Sequence, residues 1–167
     1  AARTSRDTIH NIQETQLAGP AILDMVERDL RAICVYDRTR QHHLRVKNRV
    51  MAGLDGDSLD FVASAKSRVL TAVDDRFAKL SINELGYRLR INPDDDQFLE
   101  IWRREQFGLD DDPYEGGDFQ FLHDRVKSFD VQVYTEDGPD AEPVEEWGTD
   151  RSEENIGLPA RIEVTLT

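Results

Sequence analysis

The sequence predicts an α+β fold in which a long N-terminal α-helix packs on a mainly antiparallel β-sheet. An amphipathic helix pattern fills residues 1–36, and the segments after it, residues 37–167, are mostly strand-like. The 167 residues are one domain's worth of chain and can bury a hydrophobic core without cross-links. We therefore expect one domain, in which the helix forms a stalk and residues 37–167 form the β-rich globular part.

Apolar residues three and four positions apart predict the helix, because this spacing places them on one helical face. A proline inside a helix removes a backbone hydrogen bond, so Gly19 and Pro20 predict a kink or a restart. About thirty helical residues would span roughly 45 Å, which is longer than a small domain needs to cover its own sheet. Part of the helix is therefore expected to project or to contact a neighbouring molecule. The stripe comprises Ile9, Ile12, Gln16, Gly19, Leu23, Val26, Leu30 and Ile33.

Alternation of apolar and polar residues predicts the strands. It is clearest in residues 85–91 and 98–104, which an acidic turn at 92–96 joins into a hairpin. Residues 137–157 are rich in Gly, Pro, Asp and Glu and are predicted to form a long loop held by Trp147. Residues 65–80 fit either a short helix or a loop. The other predicted strands lie at 45–51, 59–63, 129–133 and 160–166.

The charge distribution indicates which partners are favourable. Residues 1–52 contain nine Lys and Arg against six Asp and Glu, whereas residues 53–167 contain twelve against 28, within a net charge of −13. An acidic surface repels phosphate backbones and anionic lipid headgroups, so we expect no binding to nucleic acid. Cations and basic protein surfaces are better partners.

Cysteine and histidine residues give little sign of reactive chemistry. The single cysteine, Cys34, cannot form an internal disulfide and fits a small packed side chain better than a reactive thiol. His42 and His43 are adjacent and do not share a face in a strand, and no Cys or Glu stands at ligand spacing from the other histidines. His123 before Asp124 lacks the remaining parts of a catalytic motif. No cofactor is expected.

Acidic pairs and runs raise two further possibilities. Glu100 with Glu105 could act as acid and base, but such pairs arise by chance in a chain with 34 carboxylates. The runs at residues 94–96 and 110–112 offer hard oxygen ligands of the kind that calcium prefers, without the spacing of a calcium-binding loop. Consecutive aspartates point in different directions and are common in turns, so they are interpreted as turn residues with calcium as the alternative.

The predicted hairpin also gathers four arginines: Arg88, Arg90, Arg103 and Arg104. One interpretation is cross-strand ion pairing, for example of Arg88 or Arg90 with Glu100, worth less than about 1 kcal/mol for each pair. The alternative is a basic contact strip for an acidic partner.

The succession of segments resembles the periplasmic part of the J class of minor pseudopilins from type II secretion systems. The resemblance covers most of the chain and depends on the order and spacing of its parts. It includes ILDMVERDLR in the helix, the hairpin strands, and an ending that reads LPARIEV. The segments are residues 22–31, 58–64, 85–89, 99–104, 121–129 and 158–164.

This resemblance implies a pilin-like fold and an assembly function without catalysis. Members of the family join the I-type and K-type minor pseudopilins at the tip of the pseudopilus, promote protein export, and meet secreted cargo. It also implies a periplasmic domain held by a single inner-membrane anchor. The cleaved leader, the methylated first residue and the apolar segment of that family are absent from this sequence, and we expect them upstream of Ala1 in the natural chain.

The residues expected to contact other subunits are Ile9, Ile12, Gln16 and Leu23. For the first three, an ordinary frayed terminus is the alternative interpretation. Two other functions stay open from the sequence. A minor pilin of a type IV pilus shares the same plan, and a calcium-dependent binding domain or small hydrolase could be built around the aspartate runs.

Overall fold

The structure, a computed structural model, describes residues 18–35, 43–64, 82–149 and 157–167. Half of these residues lie in strands and 12% are helical. Five strands form an antiparallel sheet in the order β1-β4-β5-β6-β7, and two smaller two-stranded sheets pair β2 with β3 and β8 with β9. The strands are β1 Leu44–Lys47, β2 Val50–Met51, β3 Leu54–Asp55, β4 Ser58–Ser64, β5 Ile82–Ile91, β6 Leu99–Phe107, β7 Asp118–Val126, β8 Phe129–Tyr134 and β9 Arg161–Leu166.

The predicted pilin-like α+β fold is wrong, because the protein is mostly β and the described residues contain no long N-terminal helix packed on the sheet. Their one helix, α1, covers residues 18–31. Ile33 then forms a bridge with Ala63, and the Cys34 N–H donates to the Val62 carbonyl at 3.0 Å. These bonds require extended backbone, so the helix ends before the apolar stripe does. Both Gly19 and Pro20 are helical, and the residues before position 18 that would show a kink lie outside the described part.

Most of the strand predictions are confirmed, but β3 and β7 were not predicted as strands. The hairpin predicted at 85–91 and 98–104 is β5 and β6, with Arg90 directly opposite Glu100. The predicted strands at 59–63, 129–133 and 160–166 correspond to β4, β8 and β9. Of residues 45–51, the first part is in β1, which pairs with β4 as expected, whereas Val50 and Met51 pair with β3. Residues 65–80, for which the sequence fits either a short helix or a loop, lie outside the described residues.

The two faces of the large sheet have different compositions, because successive side chains in a strand point to opposite sides. The inner face is apolar and packs against α1 and the β8–β9 hairpin. Phe129 of β8 lies 6.4 Å from Tyr87 of β5, measured between ring centroids. The outer face holds a buried group of charges. The main core residues on the inner face of the large sheet are Leu44, Val46, Leu59, Phe61, Leu85, Tyr87, Leu89, Leu99 and Ile101. Those contributed by β8 are Phe129, Val131 and Val133.

The predicted loop after β8 is held as expected by one large side chain. Trp147 is buried, and its backbone exchanges two hydrogen bonds with Val46 of β1, at 2.9 and 3.0 Å. Its indole Nε1 donates to the Gly157 carbonyl at 3.0 Å. Trp147 therefore connects β1 to the segment that leads into β9.

Candidate functional site

An apolar trough of about 540 Å³ lies between α1 and the segment that leads into β9. Of the predicted contact residues, Leu23 lies in the wall of this trough. Ile9, Ile12 and Gln16 are outside the described residues. The apolar lining comprises Leu23, Val26, Leu30, Ile33, Leu158, Pro159, Ala160, Ile162 and Val164.

Charged residues of both signs line the trough. Glu27 accepts from the Arg31 guanidinium at 2.6 Å, and both side chains are well exposed. Arg161 packs over the Tyr134 ring at 4.0 Å and pairs with Asp137 at 3.1 Å. The trough therefore has an apolar floor and polar edges, an arrangement that suits an amphipathic partner better than a purely apolar one.

The wall formed by α1 is held rigidly against the sheet. Ile22 and Val26 are buried in the core, and Asp29 accepts hydrogen bonds from Tyr87 and from two nitrogens of Arg103. Burial and the hydrogen bond to Asp29 raise the pKa of Tyr87, so this hydroxyl stays a donor. The bidentate contact of Asp29 with Arg103 fixes the rotation of the helix as well as its position.

The outer face of the sheet contains a second constellation, the ionic cluster, centred on Arg104. Its guanidinium is fully buried and contacts Asp60 at 3.3 Å and Glu84 at 3.1 Å, both also fully buried. Arg45 and Arg88 reach Asp60 from the neighbouring strands at 3.1 and 2.5 Å. Burial raises the pKa of Asp60 and of Glu84, and the arginines oppose that shift.

The same arginines hold the loop between β6 and β7. Arg104 donates to the carbonyls of Pro113, Glu115 and Gly116, and Arg45 and Arg88 donate to the carbonyl of Tyr114. The fully buried Arg104 guanidinium is thus satisfied by carboxylates and backbone oxygens together. The cluster is consequently a structural clamp on this loop.

Gly86 makes room for the ionic cluster. A Cβ atom at this position would lie 2.3 Å from the Asp60 carboxylate oxygen. Sequence reasoning noted the arginines but missed the cluster, because its acidic members are on strands that are distant in the sequence.

The geometry favours ion pairing over a basic contact strip for the four arginines of the hairpin. Arg103 faces the inner side toward Asp29, and Arg104 is fully buried. Arg88 is occupied by Asp60, and Arg90 pairs with Glu100 at 2.5 Å with 60% of its side chain exposed.

The two aspartate runs form hydrogen bonds within turns. Asp110 accepts from the Asp112 N–H at 2.8 Å and from Gln106 at 2.8 Å, and Asp112 accepts from the Tyr114 N–H. In the other run, Asp95 accepts from the Gln97 N–H at 3.0 Å. This favours the turn interpretation of both runs. Within the described ranges, no group of three or more potential metal ligands converges.

The half-buried Cys34 fits the interpretation of a packed side chain, because burial raises the pKa of its thiol and disfavours the reactive thiolate. His10 and His42 are outside the described residues, whereas His43 is buried and His123 lies on β7. Asp57, which sequence reasoning did not single out, is buried at the junction of β4 and β8. It accepts from the Arg49 and Val131 N–H groups, and its pKa is raised to about 6 by burial, with a smaller contribution from Asp130.

Comparison of the chain with models of protein families and with curated proteins finds no match. Among the helical residues that the structure describes, none form a helix long and apolar enough to cross a membrane.

Proposed function

We propose that this protein is an assembly subunit, a minor pseudopilin of the J class that joins the I-type and K-type minor pseudopilins at the tip of a type II secretion pseudopilus. In this role it promotes protein export and meets secreted cargo, and it acts by binding without catalysis or a cofactor. It would work as the periplasmic domain of a single-pass inner-membrane protein.

The observation that supports this proposal is the apolar trough between α1 and β9. The two segments that form it, residues 22–31 and 158–164, are also two of the segments on which the family resemblance depends. The proposal rests on these segments and on the trough, in which α1 at residues 18–31 supplies the helical side.

The occupant that we propose for the trough is an amphipathic helix of a neighbouring minor pseudopilin. A helix lying in a groove places its apolar face on the floor and its polar flanks against the rim. Leu23 and Leu30 of α1 and Ile162 of β9 would contact the apolar face of that helix, and the Glu27–Arg31 pair would lie beside its polar flank.

The test is co-expression with I-type and K-type minor pseudopilin domains, followed by size-exclusion chromatography at low and moderate salt. The wild-type protein should co-elute with them. Leu23→Glu should abolish co-elution, because it places a charge in the apolar lining of the trough. Val50→Glu is the matched control, since Val50 is 64% exposed and does not line the trough, and it should leave the complex intact.

Failure of the wild-type protein to co-elute would count against the pseudopilin assignment as a whole. Co-elution of Leu23→Glu at wild-type levels would instead show that the trough is not the contact surface. Circular dichroism of both variants separates loss of binding from loss of folding.

A further inference from the structure

We propose that the first half of β7, residues 118–121, is a strand-addition site for a basic, extended segment of a partner protein. This surface is distinct from the trough and does not depend on the proposed role in secretion. It is defined by the position of β7 in the sheet, the exposure of its side chains, and the charge of the preceding loop.

β7 lies at the edge of the large sheet, next to β6 only. In the described part of the chain, no other segment forms backbone hydrogen bonds with β7. An edge strand presents N–H and C=O groups that can pair with an added strand, and extended peptides bind other proteins in this way.

The two halves of β7 differ in regularity. From Asp118 to Phe121 the strand pairs residue by residue with β6, whereas the register shifts twice between Phe121 and Val126. The Asp124 carbonyl in this second half also accepts a hydrogen bond from the Asn92 side chain at 2.8 Å. Bulges hinder strand pairing, so an added strand is expected along the first half only.

Residues 118–121 have few of the features that usually protect an edge, Asp118 being their one charged side chain. They contain no lysine, no proline and no bulge. They do contain two exposed aromatic residues, Phe119 at 50% and Phe121 at 46% of their surface. Phe121 packs edge-to-face on Trp102 of β6, with ring centroids 5.4 Å apart.

This aromatic group can be extended by the side chains of an added strand. Phe119 and Phe121 are on the outer face with Trp102, and a hollow of about 230 Å³ lies beside Phe119 and Trp102. Apolar residues at alternate positions of the added strand would become cross-strand neighbours of the two phenylalanines. The partner segment is therefore expected to alternate apolar and polar residues.

Charge indicates that the polar residues of the partner are basic. Residues 109–118 contain five Asp and Glu and no Lys or Arg, and the chain as a whole has a net charge of −13. Of these five, Glu115 pairs with Arg45 at 2.9 Å, so the excess negative charge is carried by the four aspartates at positions 110–112 and 118. A second copy of the chain would be repelled, whereas a basic segment would be attracted.

The test uses two synthetic peptides of eight residues, one alternating Lys and Val and the other alternating Glu and Val, with amide hydrogen exchange of the whole protein as the measurement. The Lys–Val peptide should slow exchange of the amides in residues 118–121, and the Glu–Val peptide should not. The double variant Phe119→Ser, Phe121→Ser should weaken binding of the Lys–Val peptide by about tenfold or more, since apolar contact area is lost.

Phe107→Ser is the matched control, because Phe107 is 65% exposed on β6 and its substitution should leave binding unchanged. Equal protection by both peptides, protection elsewhere only, or wild-type binding by the double variant would overturn the proposal. Protection that grows with protein concentration in the absence of peptide would also overturn it, because the occupant would then be a second copy.

Discussion

At the residue scale, Arg104 shows how a charge is accommodated in the interior of a small β protein. Its guanidinium contacts two buried carboxylates and three backbone carbonyls. Removing one partner of a buried ion pair leaves the other charges without compensation, which costs far more than the pair itself contributes.

We expect Arg104→Ala to lower the free energy of unfolding by about 3–5 kcal/mol, since Asp60 and Glu84 would lose their shared partner. Arg90→Ala is the control, because Arg90 is 60% exposed and its pair with Glu100 should be worth less than about 1 kcal/mol. Urea denaturation of both variants measures the difference. Equal losses would mean that the cluster does not stabilise the fold in the way described.

Asp57 makes the stability of the folded protein depend on pH. Its pKa of about 6 in the folded protein is above the ordinary value, so the fold favours the protonated form. The stability that this group contributes is fully present below about pH 4 and is lost as the pH rises through about 6. A shift of this size corresponds to a loss on the order of 2–3 kcal/mol.

Asp130→Asn should remove one cause of that shift, so the pKa of Asp57 should fall and the protein should gain roughly 0.5–1.5 kcal/mol at pH 7.5. The gain should be small at pH 4, where Asp57 is protonated in both proteins. Asp140→Asn removes the same charge from an exposed turn and should not change the shape of the pH profile. Denaturation between pH 4 and 8 decides the question, and a gain that does not vary with pH would contradict this explanation.

At the scale of elements, the loop between β8 and β9 depends on one close backbone approach. Gly148 has φ +65°, and a Cβ atom at this position would lie 2.2 Å from the Leu44 carbonyl oxygen. This approach follows directly after the Trp147 bridge to Val46. The loop can lie on β1 only because residue 148 has no side chain.

Gly148→Ala is expected to destabilise the protein by about 2–4 kcal/mol, because the new methyl group meets backbone and the φ angle disfavours alanine. Gly138→Ala, in the same loop, meets nothing within 4 Å and should be close to neutral. Thermal unfolding of the two variants provides the comparison. A neutral Gly148→Ala variant would show that the loop can move away from β1 at little cost.

At the scale of the whole molecule, the two proposed binding surfaces belong to different parts of the fold. The trough is formed by α1 and the approach to β9, whereas the strand-addition site is at the β7 edge of the large sheet. Trough residues such as Val26 belong to the buried core or pack against it, whereas Phe119 and Phe121 are not among the core residues, so the two surfaces share no packed cluster that would couple them.

We therefore predict that the two surfaces act independently. Leu23→Glu should leave protection of residues 118–121 by the Lys–Val peptide unchanged, and the Phe119→Ser, Phe121→Ser variant should leave co-elution with the pseudopilin domains unchanged. Amide exchange and size-exclusion chromatography on both variants test this. A change of more than about threefold in binding affinity at the surface that was not substituted would indicate coupling between the two surfaces.

Most of the strands, the β5–β6 hairpin and the anchoring by Trp147 could be predicted from the sequence alone, whereas β3 and β7 were not predicted. These features depend on local alternation, turn residues and one large apolar side chain, all of which are visible in a few consecutive residues. Leu23 lines the trough, and its role as a contact residue stays a prediction. Sequence reasoning correctly described the aspartate runs as turns for the same local reason.

Only the tertiary structure decided where α1 ends, which arginines are buried, and which strand is left at the edge of the sheet. Helical periodicity continues to Ile33, but backbone pairing of Ile33 and Cys34 with β4 competes with the helix and prevails. The partners of Arg104 and the free edge of β7 depend on strand order, which brings residues far apart in the sequence together. Local patterns determine which segments are strands, whereas contacts between distant segments determine what each strand faces.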